Sequence, residues 1–332
     1  MKKRIVTFGE VMLRLSPPSS RRIVQANEFE VVYAGAEANV AASCAYFGLE
    51  SEHVTVVPDN ELGTAVVREL ASYGIATSSI QRKQGRLGVY FYENAASLRS
   101  PKIIYDRFNS AFSNIQPGSV NWNEILKGAN WFHWTGITPA ISADAAAVCL
   151  EALRAAKKNN VYVSGDINYR RVLWKYGKGA HEIMPELISY CNLIVGANED
   201  FKNCLGIDES DLSVACKNVA DQFPSVKEIA TTNRETISSS HQFIQGVMWT
   251  KEGLLQSRKY EILPVVDRVG TGDAFMAGLA FSKLDGRNNA AALEFAASAC
   301  ALKHTIPGDV NTVSVDEVED LSINKNIGKL LR

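Results

Sequence analysis

Short apolar runs alternate with amphipathic stretches along most of this chain, and that alternation limits the possible folds more than any other feature. Residues 5–8, 53–57, 131–134, 161–165, 193–195 and 226–230 are brief and rich in β-branched or aromatic side chains, as strands buried on both faces must be. Between most of them, apolar residues at helical spacing predict helices over 60–73, 142–158, 211–223 and 289–303, with Ser142 and Asp211 as N-caps. The pattern predicts an α/β fold, a mainly parallel central sheet with helices on both faces. Two segments, 22–33 and 85–108, break the rhythm. Runs such as Gly88-Val89-Tyr90-Phe91-Tyr92-Glu93 alternate or are aromatic and carry no helix of their own. They read as a small antiparallel sheet formed by inserted segments about 15–34 and 85–113. A lid over a ligand crevice fits them; so does an edge extension or a dimer surface.

Composition narrows the partners. With 46% hydrophobic and 21% charged residues over 332 positions, the chain can bury a large core and is neither disordered nor fibrous. A net charge of -1 offers no footprint for nucleic acid or an anionic membrane, so a charged ligand must be met by a local site. The apolar stretch after Met1-Lys2-Lys3-Arg4 is too short for a signal-peptide core and no run approaches a membrane span, so a cytoplasmic location is expected. The six cysteines have no paired short spacing and read as reduced thiols; the five histidines lack helical i, i+4 partners and read as structural.

One stretch carries chemistry. Asp267-Arg268-Val269-Gly270-Thr271-Gly272-Asp273 runs directly into the small-residue sequence Ala274-Phe275-Met276-Ala277-Gly278. Glycines let the backbone turn and aim N–H groups at one point, the helix N-terminus adds positive potential, and Asp273 sits at the rim. Phosphoryl transfer needs those two things, donors for the charge on the transferred group and a carboxylate that takes a proton from the attacking hydroxyl. By itself, the same stretch also reads as a helix with an ordinary Asp cap. No Gly-x-x-x-x-Gly-Lys-Ser/Thr is present, and no Gly-x-Gly-x-x-Gly follows the first strand, which argues against P-loop and dinucleotide-binding folds.

The position of this loop near the C-terminus, with Phe8-Gly9-Glu10 at the start and Ala34-Gly35-Ala36-Glu37-Ala38-Asn39-Val40-Ala41 after the first insertion, resembles the ribokinase-like (PfkB) carbohydrate kinases over nearly the whole chain. The resemblance implies a single ribokinase-like domain over 1–332 with a β lid, and ATP and Mg2+ as cofactors. It makes Asp273 the catalytic base and the N–H groups around Gly270, Thr271 and Gly272 the anion hole, with Asn198 and the same loop on the nucleotide. Within that family the chain is most similar to 2-keto-3-deoxygluconate kinases, through Gly9 to Leu15, Gly35 to Asn39, Tyr105 to Ala111 and Asp166 to Arg170. That similarity places Gly35, Asn39, Tyr90, Tyr105, Arg107, Arg170 and Asp273 on the sugar, with Arg170 bridging substrate and phosphate, and pairing of lids into a homo-oligomer. Planar guanidinium groups suit a carboxylate or two anions.

The chain also departs from the family pattern. Ala34 replaces the first glycine of a pair, Thr271 stands where Ala or Gly is usual, and Asn198-Glu199-Asp200-Phe201 shifts the carboxylate of an Asn-x-x-Glu motif, leaving the metal ligands unassigned. Thr231-Thr232-Asn233-Arg234-Glu235-Thr236 replaces a glycine-rich nucleotide stretch. A kinase for fructose or another keto sugar, and a silent sugar-binding homologue, are the alternative readings.

Overall fold

Among residues 2–323, which the computed structural model describes, the first eight strands in chain order are β1 (Arg4–Phe8), β2 (Met12–Ser16), β3 (Glu30–Ala34), β4 (Glu50–Pro58), β5 (Ile75–Ala76), β6 (Ile80–Lys83), β7 (Gly88–Glu93) and β8 (Lys102–Asp106). They are followed by β9 (Trp131–Thr135), β10 (Tyr162–Asp166), β11 (Leu193–Val195), β12 (Glu228–Ser238), β13 (His241–Thr250) and β14 (Gly253–Ile262). The main sheet runs β14-β13-β12-β11-β10-β9-β1-β4-β5, with β6 also on β4. Every pair from β4 through β12 is parallel, and β12 to β14 finish it as an antiparallel meander.

Alternate residues of the central strands face opposite helix layers. Ile5, Trp131 and Leu193 pack under helices Ala36–Tyr46, Thr271–Leu284 and Asn289–Lys303, whereas Val6, Phe132 and Ile194 pack under Ala143–Lys158, Ala180–Ile188 and Leu212–Gln222. Burial of each such side chain contributes roughly 1.5–3 kcal/mol, which is why these strands read as unbroken apolar runs. The expected caps form: Ser142 accepts from the Ala145 N–H and Asp211 from the Val214 N–H. His53 and His133 fill the sheet interior, hydrogen-bonded to Thr7 (2.7 Å) and Ser164 (2.9 Å), and burial lowers both to about 3, so they stay neutral and structural. All six cysteines are buried free thiols.

The second sheet has the order β3-β2-β7-β8. Its central pair, β2 and β7, is parallel, so the sheet is mixed where an antiparallel one was expected. Its boundaries also differ: only Glu30–Ala34 of the 22–33 segment is a strand, residues 23–25 form a short 3-10 turn, and the partner strand begins earlier, at Met12. Arg14 stands on the buried parity of β2 and masks its alternation, so the pattern alone does not reveal the strand. Tyr90 on β7, paired with Arg14 on one side and Tyr105 on the other, and Tyr92 two residues on turn one face toward the carboxyl ends of β9 and β10. There the chain order reverses: the strands following β1 lie on one side of it and those from β9 onward on the other. A crevice opens at such a switch point.

Candidate active site

The cleft between the two sheets has a volume of about 510 Å³, and the residues expected on the sugar and the anion loop converge on it: Gly35, Asn39, Tyr90, Tyr105, Arg107, Arg170, Gly270, Thr271, Gly272 and Asp273 all line it. Gly270 caps helix Thr271–Leu284 in the left-handed conformation (φ 76°), and a Cβ there would lie 1.8 Å from the Asp309 carbonyl oxygen, so only glycine closes the turn. A Cβ on Gly272 would meet nothing within 4 Å, which leaves the helix's first turn open to the cleft. The N–H groups of that turn have no acceptor within the helix and point where an anion would sit. Gly35 is demanded by the protein itself, since a Cβ would come within 2.1 Å of the Glu10 carbonyl oxygen.

Asp273 is the first-turn carboxylate of that helix. Its Oδ2 accepts a hydrogen bond from Asn39 Nδ2 at 2.7 Å, which joins the N-terminal motif to the C-terminal one across 234 positions. Loss of solvation pushes Asp273 up to about 8, the Asn39 bond opposes this, and the charges of Asp166, Asp309 and Glu37 add to it. A carboxyl group poised near neutrality suits proton transfer. Asp166, at the end of β10, is pushed up to about 7 by burial and then by Asp200. Both line the cleft, and neither was singled out as a site residue from sequence; the shifted Asn-x-x-Glu motif was the available signal for Asp200. Asp200 caps its own helix, accepting from the Ala197 and Tyr169 N–H groups. Asn198 is not among the lining residues. Its Nδ2 donates to the Glu209 and Ser210 carbonyls at 2.7 and 2.9 Å.

The arginines divide sharply. Arg107, expected to offer a planar pair of donors to a substrate carboxylate, is buried and gives Nε and Nη2 to Glu10 Oε2 at 2.9 and 2.6 Å. Arg14, not anticipated as a site residue, pairs with Asp267 at 2.8 Å and with Asp309, and lies over the Tyr92 ring at 4.3 Å. Burial works against its charge, but Asp309 and Asp267 outweigh that and hold it above its usual range. Tyr90 donates to Asp309 Oδ2 at 2.5 Å, so the lid tyrosines and the anion loop share one buried network. Asp267 also accepts from the Val269 and Gly308 N–H groups, which fixes the loop's entry. By contrast, Arg170 is exposed, and its one hydrogen bond among the described residues goes to its neighbour's carbonyl, Tyr169, at 3.2 Å. Arg234 and Arg268 also line the cleft, and among the described residues neither forms an ion pair.

A buried carboxylate beside the N–H groups of a helix N-terminus, under a β sheet, is an arrangement that suits phosphoryl transfer to an alcohol. Residues 2–314 match the pfkB family carbohydrate kinase profile, and the chain belongs to that family. It is 30% identical over 319 residues to a 2-dehydro-3-deoxygalactonokinase of Haloferax volcanii, covering 96% of each chain. It is 26% identical to a 2-dehydro-3-deoxygluconokinase of Bacillus subtilis, over 96% of this chain and 94% of that one. The crystal structure of a Thermotoga maritima 2-dehydro-3-deoxygluconokinase superposes with a TM-score of 0.92 at 39% identity, covering 97% of this chain and 99% of that chain. The fold is therefore ribokinase-like, and the protein is a sugar kinase.

Proposed function

We propose that this kinase transfers the γ-phosphoryl group of ATP to the terminal hydroxyl of 2-keto-3-deoxy-D-gluconate. The observation that carries the reading is Asp273, held by Asn39 at the mouth of the anion loop, with the unpaired Arg170 on the same cleft. Asp273 takes the hydroxyl proton as attack develops, and the first-turn N–H groups at Gly270, Thr271 and Gly272 receive the charge on the phosphoryl oxygens. Arg170 meets the acid's carboxylate and the transferred group, with Arg107 Nη1, Tyr90, Tyr105, Asn39 and Gly35 shaping the sugar pocket.

Mg2+ fits as a companion of the nucleotide. Among the described residues no group of three or more His, Cys, Asp or Glu side chains is arranged to hold a metal, which agrees with an ion that keeps water and phosphate ligands. Asp166 and Asp200 are the carboxylates it would approach, and the ion would supply charge neutralisation for the phosphates.

We further read the chain as one domain whose second sheet closes over the sugar and joins a second copy. Val31 and Ile104, each 54% exposed, lie on the sheet's outer side. Sedimentation should give a homo-oligomer, and sugar should slow amide exchange at 88–106. Among the described residues no helix is long and apolar enough to cross a membrane, which is compatible with a cytoplasmic enzyme.

A coupled ADP-release assay across keto-deoxy acids and neutral keto sugars tests the substrate. The epimeric galactonate-derived acid belongs in the panel because of the Haloferax relative. One observation favours a neutral keto sugar as the second reading, namely that Glu10 already neutralises Arg107. Faster turnover of fructose than of either acid would select it.

A further inference from the structure

Arg234 and Arg268 line the same cleft beside Thr271, and among the described residues neither forms an ion pair. Arg234, on β12, reaches Thr271 Oγ1 with Nη2 at 3.4 Å, and Arg268 belongs to the anion loop itself. The acidic residues next to them in sequence are engaged elsewhere: Glu235 by Lys259 at 2.5 Å, and Asp267 by Arg14. Arg234 is pulled below its usual value by burial and, further, by the charge of Arg268. Two like charges that face one cleft and act on each other raise the energy of the folded protein unless an anion arrives between them. The glycine-rich nucleotide stretch typical of the family is absent where Arg234 sits, and residues 231–236 belong instead to β12, paired along its length with β13.

We propose that Arg234 and Arg268 form a side-chain clamp for the non-transferred phosphates of the nucleotide, doing with guanidinium groups what a glycine-rich loop does with backbone donors. The proposal rests on the kinase reading and assigns to this chain's own residues the part of the site that the sequence left open. Arg170 lies near Asp166 and is read as serving the sugar, whereas Arg234 reaches Thr271 and Arg268 leads into the Gly270–Gly272 turn. Guanidinium groups suit the task because their planar donors match phosphate oxygens and remain charged at every working pH.

The test is titration calorimetry of ADP and of adenosine, without sugar, on the wild type and on Arg234→Gln, Arg268→Gln and Arg234→Lys. Each glutamine variant should weaken ADP roughly tenfold and leave adenosine within about twofold, since a charged hydrogen bond to phosphate is lost and the nucleoside is untouched. Arg234→Lys should fall between, as it keeps the charge but loses the planar pair of donors. Thermal melts check that all variants fold. ADP affinity within twofold of wild type in both glutamine variants overturns the clamp. A raised KM for the sugar with ADP unaffected overturns it too, by making the pair a sugar-acid site. Failure to phosphorylate any keto-deoxy acid would sink the substrate reading instead and leave the ADP result standing.

Discussion

The two walls of the cleft use arginine in opposite ways. On the side of the small sheet, Arg14 and Arg107 are buried and each is matched by carboxylates, Asp267 and Asp309 for one and Glu10 for the other. On the side of β10, β12 and the glycine turn, Arg170, Arg234 and Arg268 form no ion pair among the described residues, and Arg170 favours the charged form of nearby Asp166. Arg14 ties the small sheet to Asp267 and Asp309 beside the glycine turn, and Arg107 ties it to Glu10. The unpaired arginines keep their charge available to ligands. Burying an ion pair costs much of what the attraction returns, so the lid pairs are better regarded as devices of geometry than of stability; breaking one leaves an uncompensated charge.

The largest expected effect sharpens that division by removing the carboxylate proposed as base, which lines the same cleft. Asp273→Asn should lower kcat by roughly a hundredfold or more with little change in sugar binding. It should also raise the melting temperature at neutral pH, by about 2 °C or more. The sign follows from the raised carboxyl: between the ordinary carboxylate range and about 8 the folded state holds a proton that the unfolded chain has released. Stability from this group is therefore lost as pH rises through that window, and the amide escapes the loss. Wild-type turnover, or a lower melting temperature, would contradict the assignment.

Next come the arginines. Arg107→Ala should destabilise the fold by about 3–5 kcal/mol in urea melts, because Glu10 is left buried and charged. Adding Glu10→Gln should recover much of that. Arg170→Ala, at an exposed position, should leave stability within about 0.5 kcal/mol yet cut kcat/KM for the keto-deoxy acid by roughly thirtyfold. Equal stability losses at the two positions would erase the distinction between the walls.

A smaller effect concerns pH. Asp273 must be ionised to accept a proton, so kcat/KM should rise with pH toward a plateau above about 8. Asn39→Ala removes a bond that favours the charged form and should move that rise to higher pH. A shift to lower pH would show that another group sets the profile. Asn198→Ala should have the least effect, within about threefold on KM for ATP, because its amide is occupied by the Glu209 and Ser210 carbonyls. A loss of tenfold or more would return Asn198 to the nucleotide site.

What could be read from sequence was what is local. The parallel strands announce themselves as short apolar runs, and the anion loop as two glycines and an aspartate before a helix, all within a few positions. The charge state of the arginines was not legible, because the partner of Arg107 lies 97 positions away and those of Arg14 lie 253 and 295 away. Strand β2 escaped notice for the same reason, since the buried Arg14 looks polar until its distant carboxylates are known. The β13–β14 hairpin was missed because polar residues such as Gln242, Thr250 and Ser257 occupy buried positions and break its apolar alternation. Tyr92 could not be told from a packing residue, and its role under Arg14 emerged only once the sheets met.

The most direct test of a sugar-acid kinase with an available arginine at the carboxylate is the ratio of kcat/KM for 2-keto-3-deoxygluconate to that for fructose, measured in wild type and in Arg170→Gln. The wild type should favour the acid by roughly thirtyfold or more, and the variant should lose at least about tenfold of that preference through the acid alone. A wild-type preference for fructose, or a ratio that Arg170→Gln leaves unchanged, would contradict it.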